Sequence, residues 1–483
     1  MTENKKEFVK EITPMEKDFS QWYTDIILKT ELVDYAPVKG CMVIRPYGYA
    51  IWENIQKDLD CRFKETGHTN AYFPLFIPES LLRKEQEHVE GFAPEVAWVT
   101  HGGDEELAER IAVRPTSETV ICTMYSKWIN SYRDLPVLIN QWANVVRWEK
   151  STRPFLRTAE FLWQEGHTAH ATEEDAEEET LKMLEVYRDF VERDLAIPVI
   201  KGRKTEKEKF AGALRTYTIE ALMLDGKGLQ VGTSHNLGQH FAKVFDITYL
   251  DRDGKEKYVW TTSWGVSTRL IGALIMVHGD SRGLRVPPKI APIQVVIVPI
   301  APGDKKEVVL SKAQQLYETL KGDVRVELDD RDEYTPGWKF NQWEMKGVPV
   351  RVEIGPRDIE KHQVVIARRD TGEKMVVGEG ELKPRLLKLL EGIQHNMFKQ
   401  AKSFVEKNTR EVENFEQFEE IIKNKRGFIK ASWCGNRECE DYVKEKTGAS
   451  IRCIPLNKNE HRPGKCVYCG KESEQIVYFA RAY

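Results

Sequence analysis

Apolar positions recur at helical spacing in several stretches of the chain. Over residues 15–30, Phe19, Trp22, Ile26 and Ile27 mark one stripe. Ile51, Ile55, Leu59 and Phe63 then repeat every four positions up to Gly67, a stop signal. Thr172 followed by Glu173, Glu174 and Asp175 reads as a capped, acid-rich helix start, continued by Leu181, Leu184, Tyr187, Val191 and Leu195. Acids there are favoured by the helix dipole, so they read as solvated surface rather than an acidic functional patch. Gly40–Pro46 predicts a short strand ended by proline. Ala71–Ile77 predicts another, and its internal Pro74 places it at a sheet edge or a break, with a second subunit as one possible neighbour. From Gly202 to Trp264 the pattern is mixed, with short strands and turns.

The composition changes at Pro287–Pro292. Beyond it the pattern alternates between strand (Val295–Pro299), helix (Lys306–Leu320), strand (Val324–Leu328), helix (near Trp338–Met345) and strand (Val350–Ile354). Strands at Val364–Arg368 and Lys374–Val377 follow, which together predict a compact α/β unit. A charged helix from Leu382 to Glu406 leads into a cysteine-bearing tail. The expected division is 1–288, 289–400 and 401–483, in keeping with the length of 483 residues.

The hydrophobic share of 41 % is enough for ordinary globular cores, and the formal charge of −4 neither requires nor excludes a nucleic-acid partner, which would need a local basic surface. No apolar run follows Met1, and the longest one, Ile293–Ile300, is only strand length, so a cytoplasmic, reducing location is expected. Cys41, Cys61 and Cys122 are scattered, whereas the other five of the eight cysteines lie in the last fifty residues. In a reducing compartment that asymmetry points to a metal rather than to disulfides.

Four segments carry candidate chemistry. In the first, strand-like runs at Val145–Trp148 and Thr158–Trp163 flank a basic turn, Lys150–Pro154, and continue to Glu165 and His167. Such a hairpin sets alternate charges on one face, where a guanidinium can hold a phosphate or carboxylate; a salt-bridged outer face is the plainer alternative. The second, Arg114-Pro115-Thr116-Ser117-Glu118, stands between an apolar strand and a helical run, where a capping box would also explain it. The third, Leu229–Gln239, holds Gly232, His235 and Gly238 where a strand leaves a sheet. Its glycines allow close approach to a ligand, while a lone histidine is more often a structural hydrogen-bonder. The fourth, Thr261–Ala273, reads as strand, turn and helix with Arg269 near the helix start, an arrangement that favours a polyanion.

Taken together these segments resemble the class II aminoacyl-tRNA synthetases, and among them the prolyl-tRNA synthetases of the archaeal and eukaryotic type. The resemblance runs over nearly the whole chain, down to the terminal Phe479-Ala480-Arg481-Ala482-Tyr483. The early helix and the Pro74 strand correspond to the family's motif 1, the Arg147 hairpin to motif 2 and Arg269 with its helix to motif 3. The resemblance implies an α+β fold: an antiparallel-sheet catalytic core, an α/β anticodon-binding domain and a small zinc-binding α/β domain. It implies ATP-dependent ligation of L-proline to tRNA(Pro) through a prolyl-adenylate, by a homodimer formed through motif 1, with no role for DNA or a membrane.

The implied roles fall on particular residues. Arg147 would bridge the amino-acid carboxylate and the α-phosphate, and Arg269 would hold the γ-phosphate. Glu149 would bind the adenine end, with Arg157 or the basic turn closing over it. Gln230, Thr233, Ser267 and Thr268 would complete the ATP site, and Mg2+ would be bound with help from Glu220. Thr116 and Glu118 would pair with the secondary ammonium of proline, a sensible use of a buried carboxylate, and Trp163, Phe210 and His235 would wall the ring. Glu344, Arg351 and Arg357 align with positions facing anticodon bases; surface salt bridges are the alternative. Tyr483 would bring its carboxylate near the active site.

Cys434-x4-Cys439 and Cys466-x2-Cys469, with 26 residues between the pairs, suit one closed, four-thiolate structural zinc site, with Cys453 and His461 as alternative ligands. The outer four match the family pattern. Fewer than a hundred residues separate His170 from Ser263, and they read as core, so no hydrolytic editing domain is expected. Binding alone discriminates poorly against alanine or cysteine. Two rivals remain. A catalytically silent relative would lack the phosphate-binding arginines, yet both are present. A ligase for threonine, serine, glycine or histidine is the other; a threonine enzyme would need a zinc-binding His/Cys set near Thr116 or His235, which is not found.

Overall fold

The computed structural model describes residues 12–88, 95–300 and 303–483, so the extreme N-terminus, where the sequence shows no apolar run, lies outside it. Helix α1 (Phe19–Lys29) starts at Asp18, whose carboxylate accepts from the Ser20 and Gln21 amides, and it buries Trp22, Tyr23, Ile26 and Ile27. Pro46 does more than end a strand. It opens helix α2 (Pro46–Glu65), as proline can where the amide has no intrahelical partner, and Ile51, Ile55, Leu59 and Phe63 face the core.

The expected 71–77 strand is broken at Pro74. Strand β1 (Thr69–Asn70) ends before it and pairs in parallel with β2 (Val137–Val146) at one edge of the main sheet. Phe76–Pro78 joins a separate three-stranded sheet with Ala97–Gly102 and Glu105–Val113. Helix α3 (Glu118–Trp128) follows that sheet. The main sheet continues through β3 (Glu160–His170) and, after helix α4 (Glu173–Arg193), through β4 (Ile200–Arg203), β5 (Arg215–Leu222), β6 (Gly228–Gly238) and β7 (Trp260–Ser267). Helix α5 (Arg269–His278) leaves β7 directly.

Two expectations change here. Besides the short strands expected, at Thr248–Leu250 and Glu256–Tyr258, the 202–264 region holds the long central strands β5 and β6, and Leu229–Gly238 lies within β6 rather than at a strand end. Both faces of these strands are covered, so threonine, serine and histidine appear where a half-buried strand would alternate cleanly. On α4 the buried stripe is Thr180, Met183, Leu184, Tyr187 and Val191, while Leu181 sits one position off it and is exposed. Gly166 stands opposite Trp264 across β3 and β7, where a Cβ would come within 2.1 Å of the indole.

The second sheet has β8 (Val295–Pro299), β9 (Val326–Leu328), β10 (Val350–Ile354), β11 (Gln363–Arg368) and β12 (Lys374–Gly378), in the order β9-β8-β10-β11-β12. Its first three strands are parallel and the last two antiparallel, the mixed α/β arrangement foreseen. The long helix α6 (Leu382–Lys407) then leads to β13 (Thr409–Glu411), β14 (Phe428–Ser432), helix α7 (Arg437–Thr447), β15 (Ala449–Pro455) and β16 (Ile476–Arg481).

These C-terminal strands extend the catalytic sheet, giving eleven strands in the order β13-β14-β16-β15-β4-β5-β6-β7-β3-β2-β1. The seam is β15 against β4, with Ile454 opposite Arg203. Beside it Glu220, fully buried, meets Lys204 Nζ at 2.7 Å and Arg452 Nε at 2.9 Å. Burial pushes this carboxyl up, but the charges of Arg452 and Lys204 outweigh that and hold it below the usual range. Both oxygens are thus taken by protein cations, which removes Glu220 as a magnesium ligand. Glu220→Ala leaves two buried cations unpaired and should lower stability by about 3–5 kcal/mol, read from urea denaturation. A loss under about 1 kcal/mol would show that the cluster does not secure the seam.

Candidate active site

Two cavities open on one face of the sheet and share Arg147, which follows β2 directly. The Arg147 amide donates to Ala159 O at 2.8 Å, closing the hairpin, and its Nε donates to Pro115 O at 3.0 Å. Its guanidinium carbon lies 5.5 Å from the Phe161 ring centre and 5.3 Å from that of Trp163. Arg147 has accessible surface because it faces the cavities, yet it is enclosed in depth, and burial pushes its pKa down while Glu118, Glu165 and Glu149 pull it up. It remains a cation.

The larger cavity, about 460 Å3, is lined by Arg147, Arg153, Arg157 and Arg269, with Glu149 the one acidic side chain among the described lining residues. Arg269 is the first residue of α5; its Nε donates to Leu156 O at 3.2 Å, and burial and the charge of Arg147 push its pKa down. Arg157 Nε pairs with Glu149 at 2.8 Å. Arg153, in the basic turn, lies over the rings of Tyr23 and Tyr483, and two of its buried guanidinium nitrogens lack a hydrogen-bond partner. Unsatisfied cationic donors inside a cavity favour an anion. Ser267 and Tyr483 also line this space. Thr268 does not; it is the buried residue before α5.

The second cavity, about 260 Å3, takes Thr116, Glu118, Trp163, Phe210 and His235, and also Gln230 and Thr233, which the family resemblance had placed with ATP. Thr116 donates to Glu118. Ser117 does not cap α3; its amide and hydroxyl donate to Glu165 instead, so the capping-box alternative fails. Glu165 also accepts from Gln141 at 2.9 Å and meets His167 Nε2 at 3.0 Å. Burial pushes Glu118 up, and the charge of Glu165 adds to that. Burial acts on Glu165 in the same sense, but the His167 hydrogen bond and charge, with Ser117 and Gln141, hold it below the usual range. His167 is raised because its contacts with Glu165 and Glu118 outweigh its burial.

His235 behaves oppositely. Burial and the charge of His167 push it down to about 3, so it is neutral, with Nδ1 3.0 Å from Thr216 Oγ1 and its ring 4.8 Å from Phe210. Trp163 Nε1 and Ser263 Oγ line the cavity without hydrogen-bond partners. Glu165, His167 and Ser263 received no role in the sequence reading. The signal was there in period two: Phe161, Trp163, Glu165 and His167 share one face of β3.

In the second sheet, a cavity of about 260 Å3 includes Glu344 and Arg351. Glu344 pairs with Arg282 at 2.7 Å, while Arg351 lies 4.2 Å over the Phe340 ring and pairs with Glu353. Arg357 is exposed on the short helix Pro356–Glu360 and is not among the lining residues. In the tail, the sulfurs of Cys434, Cys439, Cys466 and Cys469 lie within 4.8 Å of one another, with Cys434 3.6 Å from Cys439 and 3.7 Å from Cys469. Those separations match the edge of a tetrahedron with metal–sulfur bonds of about 2.3 Å. Cys453 is buried in β15 against Gly202, and His461 meets Pro455 O, so neither joins the four.

A central antiparallel sheet bearing an arginine-lined cavity beside an acidic one is the arrangement of a class II aminoacyl-tRNA synthetase. Residues 98–278 match the family model described as the tRNA synthetase class II core domain (G, H, P, S and T), and 294–389 match an anticodon binding domain. Residues 415–483 match the C-terminal domain of prolyl-tRNA synthetase. The chain is 67 % identical to the proline–tRNA ligase of Natranaerobius thermophilus, over the full length of both. It is 65 % identical to that of Alkaliphilus oremlandii and 62 % to proline–tRNA ligase 2 of Clostridioides difficile, again over both full lengths. The chain belongs to the prolyl-tRNA synthetase family.

The Glu165–His167 pair gives a pH prediction. A histidine raised on folding adds stability that is full below its unfolded pKa, about 6.5, and is lost as pH rises through the higher folded value. Denaturation midpoints of wild type should therefore fall relative to those of His167→Gln as pH rises above about 6.5. Parallel pH profiles for the two proteins would contradict the pairing.

Proposed function

We propose that this protein ligates L-proline to tRNA(Pro), first forming prolyl-adenylate and pyrophosphate from proline and ATP, then transferring the prolyl group to the terminal ribose hydroxyl with release of AMP. The observation that carries this reading is the shared Arg147, which lets one guanidinium touch both an anion in the larger cavity and a carboxylate in the smaller. ATP occupies the larger cavity. Arg269 holds its γ-phosphate, Arg147 its α-phosphate, and Arg153 and Arg157 close over it, with Glu149 at the adenine end and Ser267 at the wall. Negative charge gathering at the α-phosphorus meets fixed cations that need no reorganisation. Mg2+ bound with the nucleotide would offset the remaining phosphate charge.

Proline occupies the smaller cavity. Its ammonium meets Glu118 and Thr116, its carboxylate faces Arg147, and Trp163, Phe210 and neutral His235 wall the ring. Gln230 and Thr233 stand between ring and nucleotide. The tRNA anticodon is read by Glu344, Arg351 and Arg357, and the rings of Tyr334 and Trp338, stacked at 3.8 Å, offer a nearby aromatic surface. One structural zinc is held by the four clustered thiolates and keeps the tail folded; metal analysis finding none would remove that reading. The active form is a homodimer through the α2 region, which sedimentation at micromolar concentration tests. Among the described residues no helix is long and apolar enough to cross a membrane, and the tRNA substrate places the enzyme in the cytoplasm.

Amino-acid-dependent ATP–pyrophosphate exchange over all twenty amino acids tests the reading. Strong exchange with proline, at most weak exchange with alanine and cysteine, and a loss of at least about a hundredfold in Arg147→Ala are expected. Exchange with no amino acid would contradict it. Residues between His170 and Trp260 build α4, β4, β5 and β6 of the core, so alanyl-tRNA(Pro) should be hydrolysed no faster than it decays spontaneously. Clearly faster hydrolysis would reveal an editing site.

A further inference from the structure

Helix α7 starts at the cysteine cluster and reaches back to the catalytic domain. Immediately after Cys439, Glu440 Oε1 accepts a hydrogen bond from Thr205 Oγ1 at 2.9 Å, and Asp441 pairs with Lys207. One turn further, Lys444 Nζ lies 3.1 Å from Glu208 Oε1. All three partners belong to residues 204–214, which join β4 to β5. Lys204, at the start of that segment, is itself tied to Glu220 and to Arg452 O.

The same segment walls the smaller cavity. Glu208 and Phe210 line it; the Phe210 amide donates to Thr216 Oγ1 at 2.9 Å, and that oxygen meets His235 Nδ1. Other contacts of the C-terminal strands land elsewhere. β15 pairs with β4, Gly427 N donates to Gly226 O, and the Tyr483 hydroxyl donates to Asp225. Those contacts attach the tail to the sheet and to the β5–β6 hairpin without touching the 204–214 segment beyond its first residue. The α7 contacts therefore serve a different end. Glu440 and Thr205 are 2 % and 3 % exposed, and a buried carboxyl with one donor has a narrow choice of geometry.

We propose that Glu440, Asp441 and Lys444 are positioning residues for the amino-acid pocket: α7 fixes the 204–214 segment so that Glu208 and Phe210 close on the bound amino acid. The four-cysteine cluster, by setting where α7 begins, supports substrate recognition as well as the fold of the tail. This rests on the assignment of the smaller cavity to proline.

The test is ATP–pyrophosphate exchange with proline and ATP varied separately. Glu440→Leu, which removes the acceptor, should raise KM for proline about fivefold, the factor that one hydrogen bond carries, with KM for ATP within about twofold. Glu440→Gln keeps an acceptor for Thr205 and should stay near wild type. Lys444→Ala, at a half-exposed position that folding tolerates, should shift proline KM in the same direction by a smaller factor. As a readout independent of activity, trypsin should cut after Lys207 or Lys209 faster in Glu440→Leu than in wild type, and saturating proline should slow that cut.

Equal rises in both KM values, no rise in either, or unchanged cleavage would overturn the proposal. Wild-type protein lacking proline-dependent exchange would instead remove the functional reading, and the rate of cleavage would still show whether α7 holds the segment.

Discussion

Two carboxylates, Glu118 and Glu165, are enclosed in one small cavity with oxygens within 4.8 Å of each other and of a His167 nitrogen. Like charges that close, away from water, cannot both persist without cations. Glu165 is settled by His167, Ser117 and Gln141. Glu118 accepts from Thr116 and feels the charges of His167 and Arg147, but burial and the charge of Glu165 outweigh them and leave it raised. The chemistry of the site follows from that imbalance. In the proposed reading a secondary ammonium entering the cavity would complete Glu118, and the carboxylate it brings with it would meet Arg147 from one side while the anion of the larger cavity meets it from the other.

The sheet makes this possible. Antiparallel pairing of β2, β3, β7, β6 and β5 places Trp163, Glu165, His167, Gln230, Thr233 and His235 around one cavity. Continuation of the sheet through β15 and β16 then brings the chain end back, so that Tyr483 lines the larger cavity and α7 contacts the segment that walls the smaller one. The tail is thus continuous with the catalytic sheet, attached by a backbone seam and by the buried Lys204–Glu220–Arg452 cluster.

Much of this was legible in the sequence. The helices at Phe19–Lys29, Pro46–Glu65 and Leu382–Lys407, and the succession of strands and helices along the α/β unit, came from spacing alone, because each buries one stripe or one short apolar run. The central strands β5 and β6 were not, since strands covered on both sides that also carry ligand-facing polar residues lose their alternation. Glu220 was misread because nothing local announces that a cation from residue 452 will reach it. The same blindness to distant partners hid the continuous sheet and the roles of Glu165 and His167, which sit in plain view on β3. Gln230 and Thr233 were picked out, but that they line the smaller cavity beside Arg147 needs the strand register.

The most direct test of the account is a crystal structure with a non-hydrolysable prolyl-adenylate analogue. The account predicts the pyrrolidine ring against Trp163, Phe210 and His235, its ammonium on Glu118, the phosphate mimic on Arg147 and the adenosine in the arginine-lined cavity. A ligand whose ammonium avoids Glu118, or whose phosphate mimic lies beyond reach of Arg147, would contradict it.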